Sequence, residues 1–159
     1  MSLSTAPQLC GPSTQPCTGN TNFYTVGTSN NFINSTISYP AVYGNFYWGG
    51  KTQILFTAAE LNALGVSGGS INEIGFEVAQ VNSPSAYNNF QISMGCTNAN
   101  QITTMQTGLT QVYGPQSVNI NTGWNNYTLT QPYDWDGVSN LVVEVCFNNS
   151  SFGDTSTNS

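Results

Sequence analysis

The sequence predicts an all-β fold, an antiparallel β-sandwich of jelly-roll-like type with one short helix near residues 57–64. Three observations predict it. Apolar side chains alternate with polar or small ones in several short segments, the period of a half-buried strand. Clusters of Gly, Pro, Asn and Ser separate those segments at the close spacing of sandwiches and barrels. Helix-boundary chemistry is convincing in a single place.

Residues 1–21 are rich in Pro, Ser, Thr and Gly and read as a leader or linker pinned by a local disulfide, with the sandwich domain over 22–159. Residues 23–26 and 32–39 are the first strand candidates, the second ended by Pro40. An aromatic, glycine-rich stretch over 43–50 leads into a strand over 51–56. Thr57-Ala58-Ala59-Glu60 then has the spacing of a capping box, Leu61 and Leu64 give an apolar face, and Gly65 ends a helix of about two turns. Ile74, Phe76 and Val78 alternate with Gly75, Glu77 and Ala79, and Phe90, Ile92, Met94 and Cys96 alternate with Gln91, Ser93 and Gly95. The residues between, 81–89, read as a loop through Pro84.

Residues 98–109 have room for one helical turn. Short strands are expected at 111–113 and 117–120, on either side of Gly114-Pro115. Residues 124–130 alternate again, with Tyr127 and Leu129 on one face. Residues 141–147 are nearly all apolar, as suits a central strand covered on both sides. The polar end over 152–159 brings no closing strand, so the sandwich is expected to be truncated there.

Charge narrows the function. Lysine plus arginine comes to one residue, Lys51, histidine to none, and the formal net charge is -6 at pH 7. Nucleic acid is therefore not an expected partner, because phosphate binding needs clustered cations. No apolar run is long enough to insert in a bilayer as a helix. Without histidine there is no Ser-His-Asp or Cys-His device, and zinc loses its usual ligand. Gly50-Lys51-Thr52 has the ending of a phosphate loop, but its spacing from Gly44 is wrong and three bulky aromatics intervene. Glu73 and Glu77, four residues apart on one strand face, are the one carboxylate pair to weigh for acid–base work. A solvent-facing polar row is the favoured account of them, and catalysis is not expected.

The four cysteines point to an oxidising, extracellular setting. The expected pairs are Cys10–Cys17 and Cys96–Cys146, the second closing a loop of about fifty residues worth roughly 4 kcal/mol in the chain-entropy model.

Three segments together resemble a known module. They are residues 43–65, with Thr-Ala-Ala-Glu-Leu-Asn-Ala-Leu-Gly; residues 70–97, with Ser-Ile-Asn-Glu-Ile-Gly-Phe-Glu-Val and Asn-Phe-Gln-Ile-Ser-Met-Gly-Cys-Thr; and residues 123–149, with Tyr-Asp-Trp-Asp-Gly-Val-Ser-Asn leading into the last strand. The combination resembles a β-sandwich, adhesin-type module of secreted and surface proteins of Bacteroidota, commonly exported by type IX secretion. The resemblance covers roughly residues 30–150. It implies a jelly-roll-like sandwich in a larger extracellular protein and brings no catalytic residues.

Candidate sites follow from side-chain chemistry. Tyr47, Trp48, Trp124, Tyr133 and Trp135 offer flat faces for stacking on sugar rings, although aromatics are also ordinary core filling. Asp134 and Asp136, beside Gly137, Ser139 and Asn140, can supply oxygens to calcium, the single candidate ion in a chain otherwise expected to need no cofactor. The same carboxylates can instead cap the turn. Asn34, Asn126 and Asn148 match the N-glycosylation pattern, as chance provides in so Asn-rich a chain. The expected function is non-catalytic: adhesion or ligand binding at the cell surface, with polysaccharide or protein as partner. The alternative is a structural subunit of a stalk or filament in which identical copies join through sheet edges.

Overall fold

The computed structural model describes residues 10–14, 21–27, 41–45, 48–81 and 86–149. Seven strands form two antiparallel sheets. The front sheet has three strands in the order β1 (Gly11–Pro12), β6 (Gly123–Trp135), β3 (Gly69–Val78). The back sheet has four, in the order β2 (Gly49–Phe56), β7 (Asn140–Asn148), β4 (Ala86–Thr97), β5 (Thr110–Asn119). Among the described strands every consecutive pair changes sheet except β4 and β5, which form a hairpin within the back sheet.

Side-chain parity sets the faces. On β7, Leu141, Val143, Val145 and Phe147 turn inward, opposite Phe56, Ile54, Thr52 and Gly50 of β2. Cys96, Met94 and Ile92 of β4 meet the first three of that row from the other side. The front sheet contributes Ile74, Phe76 and Val78 together with Tyr127, Leu129, Tyr133 and Trp135. One end of the core is aromatic. Tyr43 packs against Phe76, Tyr87 and Phe90, and Phe90 stacks on Tyr127 with ring centroids 4.9 Å apart. The buried hydroxyls are paired: those of Tyr43 and Tyr127 share a 2.8 Å hydrogen bond, and that of Tyr87 donates to the Tyr43 carbonyl at 2.7 Å.

The helix α1 (Ala58–Ala63) forms where the capping box predicts it. Thr57 Oγ1 accepts from the Glu60 N–H, and the Glu60 carboxylate accepts from the Thr57 N–H at 2.9 Å. That bonding holds the Glu60 carboxyl below its ordinary range. Leu61 is buried beneath the helix, while Leu64 is largely exposed.

Several expectations are corrected. Residues 23–26 form no strand among the described residues, with Phe23, Tyr24 and Val26 exposed. The segment 32–39 lies outside the described residues, as does 152–159. Residues 98–109 contain no helical turn. The two short strands at 111–113 and 117–120 are one strand, β5, whose pairing with β4 is broken by bulges. The strand at 124–130 runs on through Pro132 to Trp135. β4 begins at Ala86, which brings Tyr87 into the core and shortens the expected loop.

The disulfide differs from both expected pairs. It joins Cys10 to Cys96, 86 residues apart in sequence, and Cys146 is free. Cys17 lies outside the described residues. Parity explains why Cys96 and Cys146 do not pair. They sit on neighbouring strands, but Cys96 faces Leu141 and Cys146 faces Gln91, five positions along. An odd offset puts the two side chains on opposite faces of the sheet. Cys96 points inward and meets Cys10, beside β1 of the front sheet, so the bond staples one sheet to the other. Residues 10–14 therefore belong to the sandwich rather than to a separate leader, with Gly11 and Pro12 paired to Asp134 and Tyr133.

Candidate functional site

Alternation decides what each outer face displays. On the front sheet, the inward pairs Phe76–Asn125 and Ile74–Tyr127 leave Glu77–Trp124, Gly75–Asn126 and Glu73–Thr128 as outward pairs. Trp124 is 55% exposed. Its ring leans across Gly75, where an added Cβ would lie 3.4 Å from Trp124 Cε3 and collide with the Asn126 amide oxygen. Glycine at this position is what lets the indole edge and the amide approach the neighbouring strand so closely. Thr128 Oγ1 donates to the Glu73 carboxylate at 3.4 Å, and Glu77 is exposed opposite Trp124. The result is an outward face with one aromatic ring, an amide, a hydroxyl and two carboxylates.

The other sequence candidates do not join it. Tyr47 lies outside the described residues. Trp48 is 58% exposed, but it precedes β2 at the edge of the back sheet. Tyr133 and Trp135 are 3% and 1% exposed, so neither ring can stack on a ligand. Both are core residues. The Trp135 Nε1–H donates to the Ser139 carbonyl at 2.8 Å, and the Tyr133 hydroxyl is hydrogen-bonded to the Cys96 backbone. The parity that carries Tyr127 and Leu129 inward continues to 133 and 135, and that signal is present in the sequence. Pro132 obscures it, because proline is not expected inside a paired strand.

The calcium candidates are also separated. Asp134 lies between Gly11 and Ser70 on the outer face of the front sheet. Asp136 closes the turn before β7. One of its oxygens accepts from the Val138 and Ser139 N–H groups at 3.0 and 2.8 Å, and the other accepts from the Ser139 hydroxyl at 2.6 Å. Burial pushes this carboxyl up, but the hydrogen bonds outweigh it and hold it below the ordinary aspartate range. An Asx-type turn accounts for Asp136. Among the described residues Asp136 groups with Cys10 and Cys96, whose sulfurs are bonded to each other and offer no thiolate to a metal.

Sequence reasoning weighed Glu73 and Glu77 as an acid–base pair and Asn126 as a glycosylation acceptor. Placing them on one surface with Trp124 required the β3–β6 register. No family model matches the chain, and no curated protein or solved structure matches it either. Among the described residues no helix is long and apolar enough to cross a membrane.

Proposed function

We propose that the chain is a non-catalytic module of an extracellular protein that binds carbohydrate through the outer face of its front sheet. The observation that carries this reading is Trp124, more than half exposed and laid across Gly75 with Asn126, Thr128, Glu73 and Glu77 around it. A flat aromatic face hides apolar area of a sugar ring, while the amide, hydroxyl and carboxylates bond its hydroxyls. The disulfide fits an oxidising, extracellular compartment. The test is retention on a panel of insoluble polysaccharides with native protein and Trp124→Ala. Native protein is retained, and the variant loses at least about tenfold in affinity, the scale of a stacked ring. Equal retention of both, or of neither, ends this reading.

A second reading rests on β3, a ten-residue strand that among the described residues pairs with β6 alone and carries neither lysine nor proline. Self-assembly through that edge appears as concentration-dependent mass in light scattering and is abolished by a lysine or proline placed in β3.

A further inference from the structure

The front face carries a charge pattern that restricts its ligand. Glu73, Glu77 and Asp134 all project from it, at the outward positions of β3 and β6. Among the described residues nothing basic balances them. The chain has a single lysine or arginine, Lys51, which stands on the outer face of the other sheet with its ammonium 3.2 Å from Glu144. Ionised carboxylates accept hydrogen bonds and donate none, and the π-face of the indole is itself electronegative. Trp124 and Glu77 are direct cross-strand neighbours, so a group resting on the ring meets negative potential from both. An acidic glycan would be repelled from this face, and a neutral one would leave the carboxylates uncompensated.

We infer that the face takes a polysaccharide bearing free, protonated amino groups, an amino-sugar polymer, with Trp124 stacking on a ring and Glu73 and Glu77 pairing with its ammonium groups. The inference rests on the carbohydrate-binding reading above and narrows it to one class. A sugar chain is the expected occupant because, in the carbohydrate-binding reading, the exposed Trp124 supplies the stacking surface. Recognition of this kind is attractive at a distance and weakens with salt.

The experiment uses the full chain at about pH 6, between the carboxylate and amine ranges. The probes are chitosan, fully acetylated chitin, cellulose and alginate, compared by affinity electrophoresis and depletion. The expected result is binding to chitosan at least tenfold tighter than to chitin or cellulose, with none to alginate. Salt should weaken that binding, and Glu73→Gln with Glu77→Gln should reduce it severalfold. Trp124→Ala should reduce it tenfold without altering net charge, which separates a site from general attraction between an acidic protein and a polycation. Its thermal midpoint should stay at the native value, since the ring is exposed. If Trp124→Ala binds chitosan as well as native protein does, the inference is overturned. If binding to chitin or cellulose equals that to chitosan, depends on Trp124 and ignores salt and the glutamine variants, the amine preference is wrong while carbohydrate binding stands. If no polysaccharide shows Trp124-dependent binding, both fail together.

Discussion

The two outer faces of the sandwich are built from the same kind of strand and end up opposite in character. On the back sheet several polar groups are answered within the chain. Lys51 pairs with Glu144, Gln53 donates to Glu144 at 2.7 Å, and the same amide exchanges two 2.8 Å hydrogen bonds with the Gln106 backbone. Asn140 ties the face to the Ala99 carbonyl. Leu109 lies over Gly95, and Val142 is buried although it points away from the main core. The segment between β4 and β5 therefore covers this face. On the front sheet the outward row has an exposed indole and carboxylates with no cation. A sheet face closed by its own loop and its own counter-charge has nothing left to offer a ligand. The difference points to the front sheet as the face that meets a partner.

The largest effects should come from what the two faces share, the interior and its staple. Burial, then neighbouring tyrosines, raise Tyr43 well above the ordinary tyrosine range. Burial also raises Tyr127 and Tyr133, in each case against a hydrogen bond that acts the other way. A raised tyrosine favours the fold while it is protonated. That stability is complete below about pH 10, the unfolded value, and is lost as pH rises beyond it. We expect cooperative alkaline unfolding, with part of the tyrosinate absorbance appearing together with loss of circular dichroism. Ionisation of every tyrosine in a still-folded protein would contradict the buried pairing of Tyr43 with Tyr127. Next in size is the disulfide. Cys10→Ser opens an 86-residue closure worth about 4–5 kcal/mol in the chain-entropy model, a fall in thermal midpoint of about 10 °C or more. Cys146→Ser should leave the midpoint unchanged. Peptide mapping of non-reduced protein should recover Cys10 linked to Cys96.

Much of this division was legible before any coordinates. The alternation over 74–78 and 90–96 sorts inward from outward residues correctly, and the same parity already places Trp124 opposite in sense to Tyr127 and Leu129. The capping box located α1, and the apolar run over 141–147 marked the strand that lies between two neighbours. Parity gives the face of a strand but not its neighbour. The disulfide could not be derived because the geometry of Cys96 and Cys146 depends on β4 and β7 being adjacent in a particular register. For the same reason Glu77, Gly75 and Asn126 had no visible link to Trp124. The burial of Tyr133 and Trp135 was hidden by Pro132. β6 tolerates that proline where its pairing with β3 is irregular, between the Glu73–Thr128 and Ile71–Tyr133 pairs.

Two outward glycines give a matched test of covered against open. Gly95→Val drives a side chain into Leu109 on the back face and should destabilise by about 1–3 kcal/mol in denaturant titration, as overpacking does. Gly75→Val meets the movable Asn126 amide and the edge of Trp124 in solvent. A β-branched residue also suits a strand better than glycine, so stability should hold or rise slightly. Its effect belongs to binding, because it lifts the indole and amide off the strand. Equal destabilisation by the two substitutions would mean that the front face is covered as well.

The smallest effect separates the faces by charge. Glu144→Gln removes the partner of Lys51 but keeps an oxygen for the Gln53 amide. Since the lysine is about half exposed, the loss should be no more than about 1 kcal/mol and should shrink as salt screens the native pair. Glu77→Gln on the front face removes a carboxylate that has no cation to lose. Its stability should not fall at all, and at low salt relief from Glu73, four positions along the same strand, should raise it slightly. The two variants carry the same change in net charge, so opposite signs at low salt that converge at high salt, read from urea midpoints, isolate local pairing from overall charge. Matching signs would show that the back face gains nothing from its single cation, and the contrast between the two surfaces would then rest on the loop over 98–109 alone.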